Sequence, residues 1–383
     1  MSSSTATPAP ATDQDAANLQ YTDTEDALRD SVRRLFADRV PLTDVARSYD
    51  TPAPDFAGVW RTFAELGLAG LLVPENIGGA GASEREAAVV CEEIGRAVAP
   101  IPFLSSAVLA TVTLLRAGDT EHVATLADGS RVGALAVPLS ATSDSIGDAV
   151  SLRDGRLHGS VTTVAGAAES DLLVVPVVGD SGLEIRVVET TSTGVTVTPA
   201  LGLDMTRPIA DITFDGASGV RVNTDDAAGA VHAAMQTGAA LLASEQYGAA
   251  SWCLETTLAY VKDRKQFGRT IGSYQAIKHR LADLWLQVSS AGAAARYAAD
   301  TAARGDADAA VAAHVAASFC GDVAVKAAEE CIQLHGGIGM TWEYPAHLFL
   351  KRAKSDQIAL GTGYWHRARL AELVDLPAHP SAG

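Results

Sequence analysis

Residues 227–262, 273–303 and 307–334 form three long apolar, alanine-rich stretches whose hydrophobic residues recur at helical spacing. Segments of that length joined by short connections pack most simply as an antiparallel helix bundle. Abundant alanine and an aromatic content of only 5% point the same way, because small side chains let long helices approach closely. Upstream the pattern changes. β-prone runs at 132–137, 156–161, 172–178, 183–188, 195–197 and 209–214 are punctuated by Gly, Asp, Ser and Pro. Strands in series with no helices between them predict an antiparallel barrel or sandwich. Further upstream, over residues 22–119, helical periodicity returns. Leu28, Val32, Leu35 and Phe36 share one face, as do Phe56, Val59, Trp60 and Phe63. Gly67 marks a stop, residues 74–79 read as a turn, and Ser83 with Glu86 has capping-box spacing. The expected fold is α+β and mainly α: a disordered tail at 1–20, a helical domain at 21–130, a β-domain at 131–224 and a helical bundle at 225–383.

The 383 residues suffice for a large core. A net charge of −17 repels phosphate backbones and excludes nucleic acid as a partner. Cys91, Cys253, Cys320 and Cys331 form no CxxC pair and have no histidine at zinc-ligand spacing. They read as reduced core residues with no metal site, which fits the cytoplasm. The first twenty residues lack the basic start and apolar run of a signal peptide. No membrane-spanning stretch is expected, since Arg296, Asp300, Arg304 and Asp306 interrupt residues 293–317.

The densest chemical signal lies at 260–283. Lys262, Arg264, Lys265, Arg269, Lys278 and Arg280 form a basic island in an acidic chain, around Gln266, Phe267 and Gly268. Arginine offers forked, charge-assisted hydrogen bonds to phosphate oxygens, so the island suits an anionic cofactor; a solvated basic helix end is the plainer alternative. Gly268 stands where a C-cap glycine would end a helix. The second signal is Gln333-Leu334-His335-Gly336-Gly337. Glycines there would let backbone N–H groups approach a phosphate, or would simply end a helix.

Taken together, the stretches RKQFGRTIGSYQAIKHRLAD and QLHGGIGMTWEYPAHLFLKRA resemble signatures of the acyl-CoA dehydrogenase family, and the helix–β–helix order matches its fold across nearly the whole chain. The resemblance implies α,β-desaturation of an acyl-CoA thioester, with a carboxylate base, FAD as hydride acceptor and electron-transfer flavoprotein as the next acceptor. It also implies that Arg264, Gln266, Phe267 and Gln275, with Gln333, Gly336 and Gly337, reach toward FAD shared with a neighbouring subunit.

Other family elements are missing. The threonine-glutamate-proline segment and its Gly-Ser become Val137-Pro138-Leu139-Ser140 and the residues after it. The aromatic–aliphatic–threonine element becomes Thr163-Val164-Ala165. The Glu-Gly-Thr carrying the base becomes Leu360-Gly361-Thr362, and leucine cannot accept a proton. The alternative base position in the first long C-terminal helix falls near Gly238. One carboxylate, Glu245, sits in an apolar run two turns further on, where a raised pKa could make it a base, or where it could be a structural ion-pair partner. Asp356 and Glu343 are weaker candidates.

Features used within the chain's own site are lost, and those offered to a neighbour are kept. In this the chain resembles the base-lacking subunit of actinobacterial heteromeric, steroid-type acyl-CoA dehydrogenases. The leading expectation is an accessory subunit of a heterotetramer with a second acyl-CoA dehydrogenase-like chain, acting on a bulky, steroid side-chain-like acyl-CoA. A self-sufficient homotetramer using Glu245, a flavin monooxygenase or oxidase on the same fold, and a purely structural subunit remain the alternatives.

Overall fold

A computed structural model describes residues 17–50, 56–147, 149–179 and 182–377. Most of the expected tail, residues 1–16, lies outside the described residues. Asn18 and Gln20, at its end, are held by hydrogen bonds from the Arg85 guanidinium to their carbonyls.

The N-terminal part is helical: α1 (Asp23–Arg39), α2 (Leu42–Arg47), α3 (Phe56–Glu65), α4 (Glu84–Ala97), a π-helical turn at Phe103–Ala110 running into α5 (Thr111–Arg116), and α6 (Thr120–Ala127). Ser83 and Glu86 form the expected capping box, and Thr22 with Glu25 forms another at the start of α1. The apolar faces of α1 and α3 meet in an aromatic cluster: Phe63 lies 6.2 Å from Phe36, 5.6 Å from Trp60 and 5.7 Å from Phe103, centroid to centroid.

Eight strands follow: β1 (Gly133–Leu135), β2 (Val150–Arg153), β3 (Arg156–Ala165), β4 (Leu172–Gly179), β5 (Gly182–Glu189), β6 (Val195–Ala200), β7 (Ile209–Ala217) and β8 (Val220–Arg221). They join in one sheet in the order β6-β7-β3-β2-β4-β5-β8, with β1 also on β4. The expectation of a purely antiparallel domain is corrected at two places, because β1 and β2 both pair parallel with β4. The connection after β1 crosses over before β2 and β4 are laid down, so β4 receives both on one edge.

The bundle consists of α7 (Ala227–Asp263), α8 (Gln275–Arg304) and α9 (Ala309–His335), followed by α10 (Ala346–Asp356) and α11 (Gly363–Leu373). Helix α9 packs on both α7 and α8, and α4 from the N-terminal part crosses α7. Gly95 and Gly248 make that crossing possible. A Cβ at Gly95 would overlap the carbonyl oxygen of Glu245, and one at Gly248 that of Glu92. The segment Ala309–Met340 is apolar and long enough to cross a membrane by length and composition, contrary to expectation. It is the bundle's shared helix, and half of its most apolar window is buried inside the protein. All four cysteines are free and buried.

Candidate functional site: an open cleft and a closed pocket

The basic island and the glycine turn come together. Helix α7 ends at Asp263, and the Arg264 N–H still caps it by donating to the Tyr260 carbonyl at 2.9 Å. The chain then forms a small hairpin, Lys265–Gln266 against Arg269–Thr270. Its two-residue turn is Phe267-Gly268, with φ of 53° and 78°. Gly268 is therefore a hairpin glycine rather than the expected helix cap, and two successive left-handed residues suit the right-handed twist of a tight hairpin. The turn lifts Phe267 into solvent at 93% exposure. Facing it, α9 ends at His335, and Gly336 leaves at φ 65°, ψ −137°, a conformation that glycine tolerates.

Between hairpin and turn lies a cleft of about 580 Å³, lined by Tyr260, Arg264, Gln266, Phe267, Gln333, Gly336 and Gly337 among others. Of the residues singled out from sequence, Gln275 is not part of this lining; it stands exposed at the start of α8. The cleft fits a diphosphate. A Cβ at Gly336 or Gly337 would meet nothing within 4 Å, so both backbones face open space that a phosphate could approach. Arg280 is tied to Glu330 at 2.8 Å, whereas Arg264 makes no ion pair among the described residues.

The segments at 137–140, 163–165 and 360–362 also meet. The Leu360 N–H donates to the Leu139 carbonyl at 2.8 Å, and the Leu139 N–H donates to the Thr163 carbonyl at 3.0 Å. Two backbone bonds thus tie together the three degenerate segments, beside a cleft of about 260 Å³ lined by Leu139, Ser140, Thr163, Arg207 and Ile358. Thr163 sits at φ 55° in a bulge of β3, its N–H bonded to the Asp211 carboxylate at 2.8 Å.

Leu360 and Gly238, the two positions where the resemblance puts a base, face each other. A Cβ at Gly238 would lie 3.0 Å from Leu360 Cδ1 and 2.7 Å from Leu109 Cδ2. Leu360 is 3% exposed, and the space beside it, bounded by Met235, Ala239, His314 and His366, is about 20 Å³. That is room for a water molecule, not for an acyl thioester. The imidazoles of His314 and His366 touch through their Nδ1 atoms at 2.8 Å. Burial, with His314 alongside, pushes His366 down to about 4, and burial likewise lowers His314, so the pair is neutral at pH 7.

Glu245 is 2% exposed. Its Oε1 accepts from Arg207 Nη2 at 2.7 Å and from Arg352 Nη1. Arg352, equally buried, also donates from Nε to Asp204 at 2.6 Å and from Nη2 to Thr206 Oγ1 at 2.6 Å. Burial alone would raise the Glu245 pKa, but Arg207 and Arg352 outweigh it and hold the carboxylate below its ordinary value. The expectation of a raised, base-like pKa is therefore corrected: the run around Glu245 is apolar in sequence, but two arginines arrive from elsewhere in the chain. Asp356, 3.3 Å from Arg207, belongs to the same cluster; burial pushes it up to about 7, with Glu245 adding repulsion. Glu343 is exposed and lowered by a hydrogen bond with the Thr341 side chain. Arg207, Arg352 and Asp204 carried no sequence signal, because the pairs join residues 107 and 148 positions apart.

Residues 22–126 match the model of the acyl-CoA dehydrogenase N-terminal domain, and residues 228–374 that of the acyl-CoA dehydrogenase C-terminal domain. The acyl-CoA dehydrogenase IpdE2 of Mycolicibacterium smegmatis is 33% identical over 87% of this chain and 93% of its own length. The acyl-CoA dehydrogenase FadE34 of Mycobacterium tuberculosis is 36% identical over 83% of this chain, a match that spans 42% of that longer protein. Among solved structures, the Tcur3481–Tcur3483 steroid ACAD superposes with a TM-score of 0.82 at 25% identity, covering 92% of this chain and 98% of the other. The ChsE4–ChsE5 complex of Mycobacterium tuberculosis gives a TM-score of 0.84 at 24% identity, covering 94% and 100%.

Proposed function

The chain belongs to the acyl-CoA dehydrogenase family, FAD-dependent oxidoreductases acting on CH–CH bonds, and from that premise we propose that it is the accessory half of a heteromeric dehydrogenase. The observation that carries the reading is the packing of Leu360 against Gly238 and Leu109, which fills both base positions with hydrocarbon. Neither residue can take a proton. The Glu245 carboxylate is committed to two arginines. No step of proton abstraction is assigned to this chain's own residues.

What the chain contributes is binding. When bound, FAD supplies the hydride acceptor for the desaturation. Arg264 would place its guanidinium on the diphosphate, Gly336 and Gly337 would offer backbone N–H groups, and Phe267, Gln266 and Gln333 would complete the cleft wall. Gln275 stands exposed at the start of α8, outside the lining. The partner in this reading is a second acyl-CoA dehydrogenase-like chain that carries the base and the flavin ring. The names of the steroid ACAD and of the two-component ChsE4–ChsE5 complex support a heteromer and a bulky, steroid side-chain-like acyl-CoA. An electron-transfer flavoprotein would reoxidise the cofactor, and four reduced thiols suit a cytoplasmic setting.

The test is the visible spectrum of the chain purified alone and co-purified with a homologous, glutamate-bearing chain. The reading expects a colourless chain alone and about one FAD per pair together. A yellow chain that bleaches on its own with an acyl-CoA would overturn it in favour of the self-sufficient enzyme.

A further inference from the structure

We propose that His335 is a positioning residue that fixes the glycine turn of the open cleft, held for that task at both ring nitrogens. The inference rests on reading the cleft as one half of a shared FAD site. The imidazole Nδ1 lies 2.6 Å from the Cys331 carbonyl oxygen one helical turn back. A carbonyl only accepts, so Nδ1 carries the proton and donates. The Cys331 thiol, 3.7 Å away, is the other neighbour of that nitrogen. Nε2 lies 2.7 Å from the Tyr344 hydroxyl, and in the neutral ring it accepts the phenolic proton. The ring is stacked on Tyr260 at 4.3 Å between centroids, and the Tyr260 hydroxyl donates to the His335 carbonyl at 3.3 Å.

These contacts join α7, the last turn of α9 and the segment before α10 at the residue that precedes Gly336. The exit direction of the turn is thus set by a side chain that is 3% exposed. The far end is held as well: the Lys351 ammonium sits over the Trp342 ring at 4.3 Å and over the Tyr49 ring at 4.1 Å. Between the anchors, Gly336 and Gly337 face open space. A turn fixed before binding loses less freedom when an anion docks, so anchors at the cleft wall, Tyr260 and His335, act on affinity through the turn they hold. Phenylalanine at 335 would keep the stack on Tyr260 and lose both nitrogens.

The test uses the co-purified complex, stripped of FAD and titrated with FAD by fluorescence. His335→Phe is expected to raise the Kd about tenfold and Tyr344→Phe about threefold, and the double variant should be no worse than His335→Phe alone, as two members of one clamp behave. Additive effects would overturn the clamp. So would a Kd that stays unchanged while the melting temperature falls, which would make His335 structural only. If His335→Phe fails to fold, Tyr344→Phe decides: a raised Kd supports the clamp and an unchanged Kd overturns it. Arg264→Ala separates this inference from the reading beneath it. A raised Kd there with no effect of the clamp variants removes His335 alone, whereas no effect of any variant removes the shared site with it.

Discussion

The cleft at Arg264 and the pocket at Leu360 are built by the same helices, α7 and the chain beyond α9, yet they have opposite characters. The first is about 580 Å³, open, and edged by glycines whose α-carbons face empty space. The second is about 20 Å³, with leucine side chains pressed against a glycine. In one place absent side chains leave room for a ligand; in the other an absent side chain is filled by its neighbours. Gly238 shows why glycine content alone is uninformative. Its missing Cβ is room for Leu109 and Leu360, while the missing Cβ atoms of Gly336 and Gly337 are room for something outside the chain. Where the resemblance places a base, Gly238, Leu109 and Leu360 pack together and leave about 20 Å³.

The largest expected effect is at Glu245. Glu245→Gln leaves the buried Arg207 and Arg352 short of a counter-charge, at a cost of roughly 3–5 kcal/mol. The melting temperature should fall by several degrees, while acyl-CoA reduction of the flavin by the assembled complex survives. A stable variant with abolished flavin reduction would make Glu245 a base instead. The pH sign agrees with a structural role. The folded pKa is lowered, so the stabilisation is full above the ordinary glutamate value and is lost as pH falls through the lower folded one.

At the open side, Arg264→Ala should weaken FAD binding to the complex by tenfold or more, since a charge-assisted contact is worth roughly 1.5–3 kcal/mol. Equilibrium titration of the stripped complex reads this, and an unchanged Kd would leave the cleft without its main assigned contact. At the closed side, Gly238→Ala drives a methyl group into Leu109 and Leu360, and overpacking of that kind costs about 1–3 kcal/mol. The prediction is a lower melting temperature with turnover of the complex within twofold of the parent. A tenfold loss of turnover at unchanged stability would mean that substrate visits this pocket.

Much of this contrast was legible in the chain itself. The Leu360 and Gly238 substitutions, the Thr163 change and the retained Arg264 can all be read against family signatures, because motif positions are local in sequence. Helix extents were legible for the same reason, down to the Ser83–Glu86 capping box. Two kinds of feature were not. β2 (Val150–Arg153) and β8 (Val220–Arg221) are too short for an alternating pattern to stand out, and both exist because neighbouring strands offer pairing edges. The turn Phe267-Gly268 has the residues of a helix end, and only its pairing across Gln266 and Arg269 makes it a hairpin. The arginine–carboxylate cluster was invisible because Arg352 meets Asp204 and Glu245 only once the β-domain docks on the bundle. Side chains that look like lone polar residues in apolar runs were each other's partners.

A further expected effect lies where α4 meets α8. Glu92 is 5% exposed, with Arg296 3.8 Å away. Burial pushes its pKa up to about 7, and Arg296 only partly offsets that. The sign is opposite to that of Glu245. A carboxyl whose folded pKa is raised binds its proton more tightly in the folded chain, so its contribution to stability falls as pH rises from the ordinary glutamate value through 7. The slope from this one group is at most about 1.4 kcal/mol per pH unit. Melting curves of the complex between pH 5 and 8 should therefore decline more steeply than those of Glu92→Gln, and the two should diverge most at the alkaline end, with the variant the more stable. Parallel curves would show that Arg296 keeps Glu92 ionised throughout.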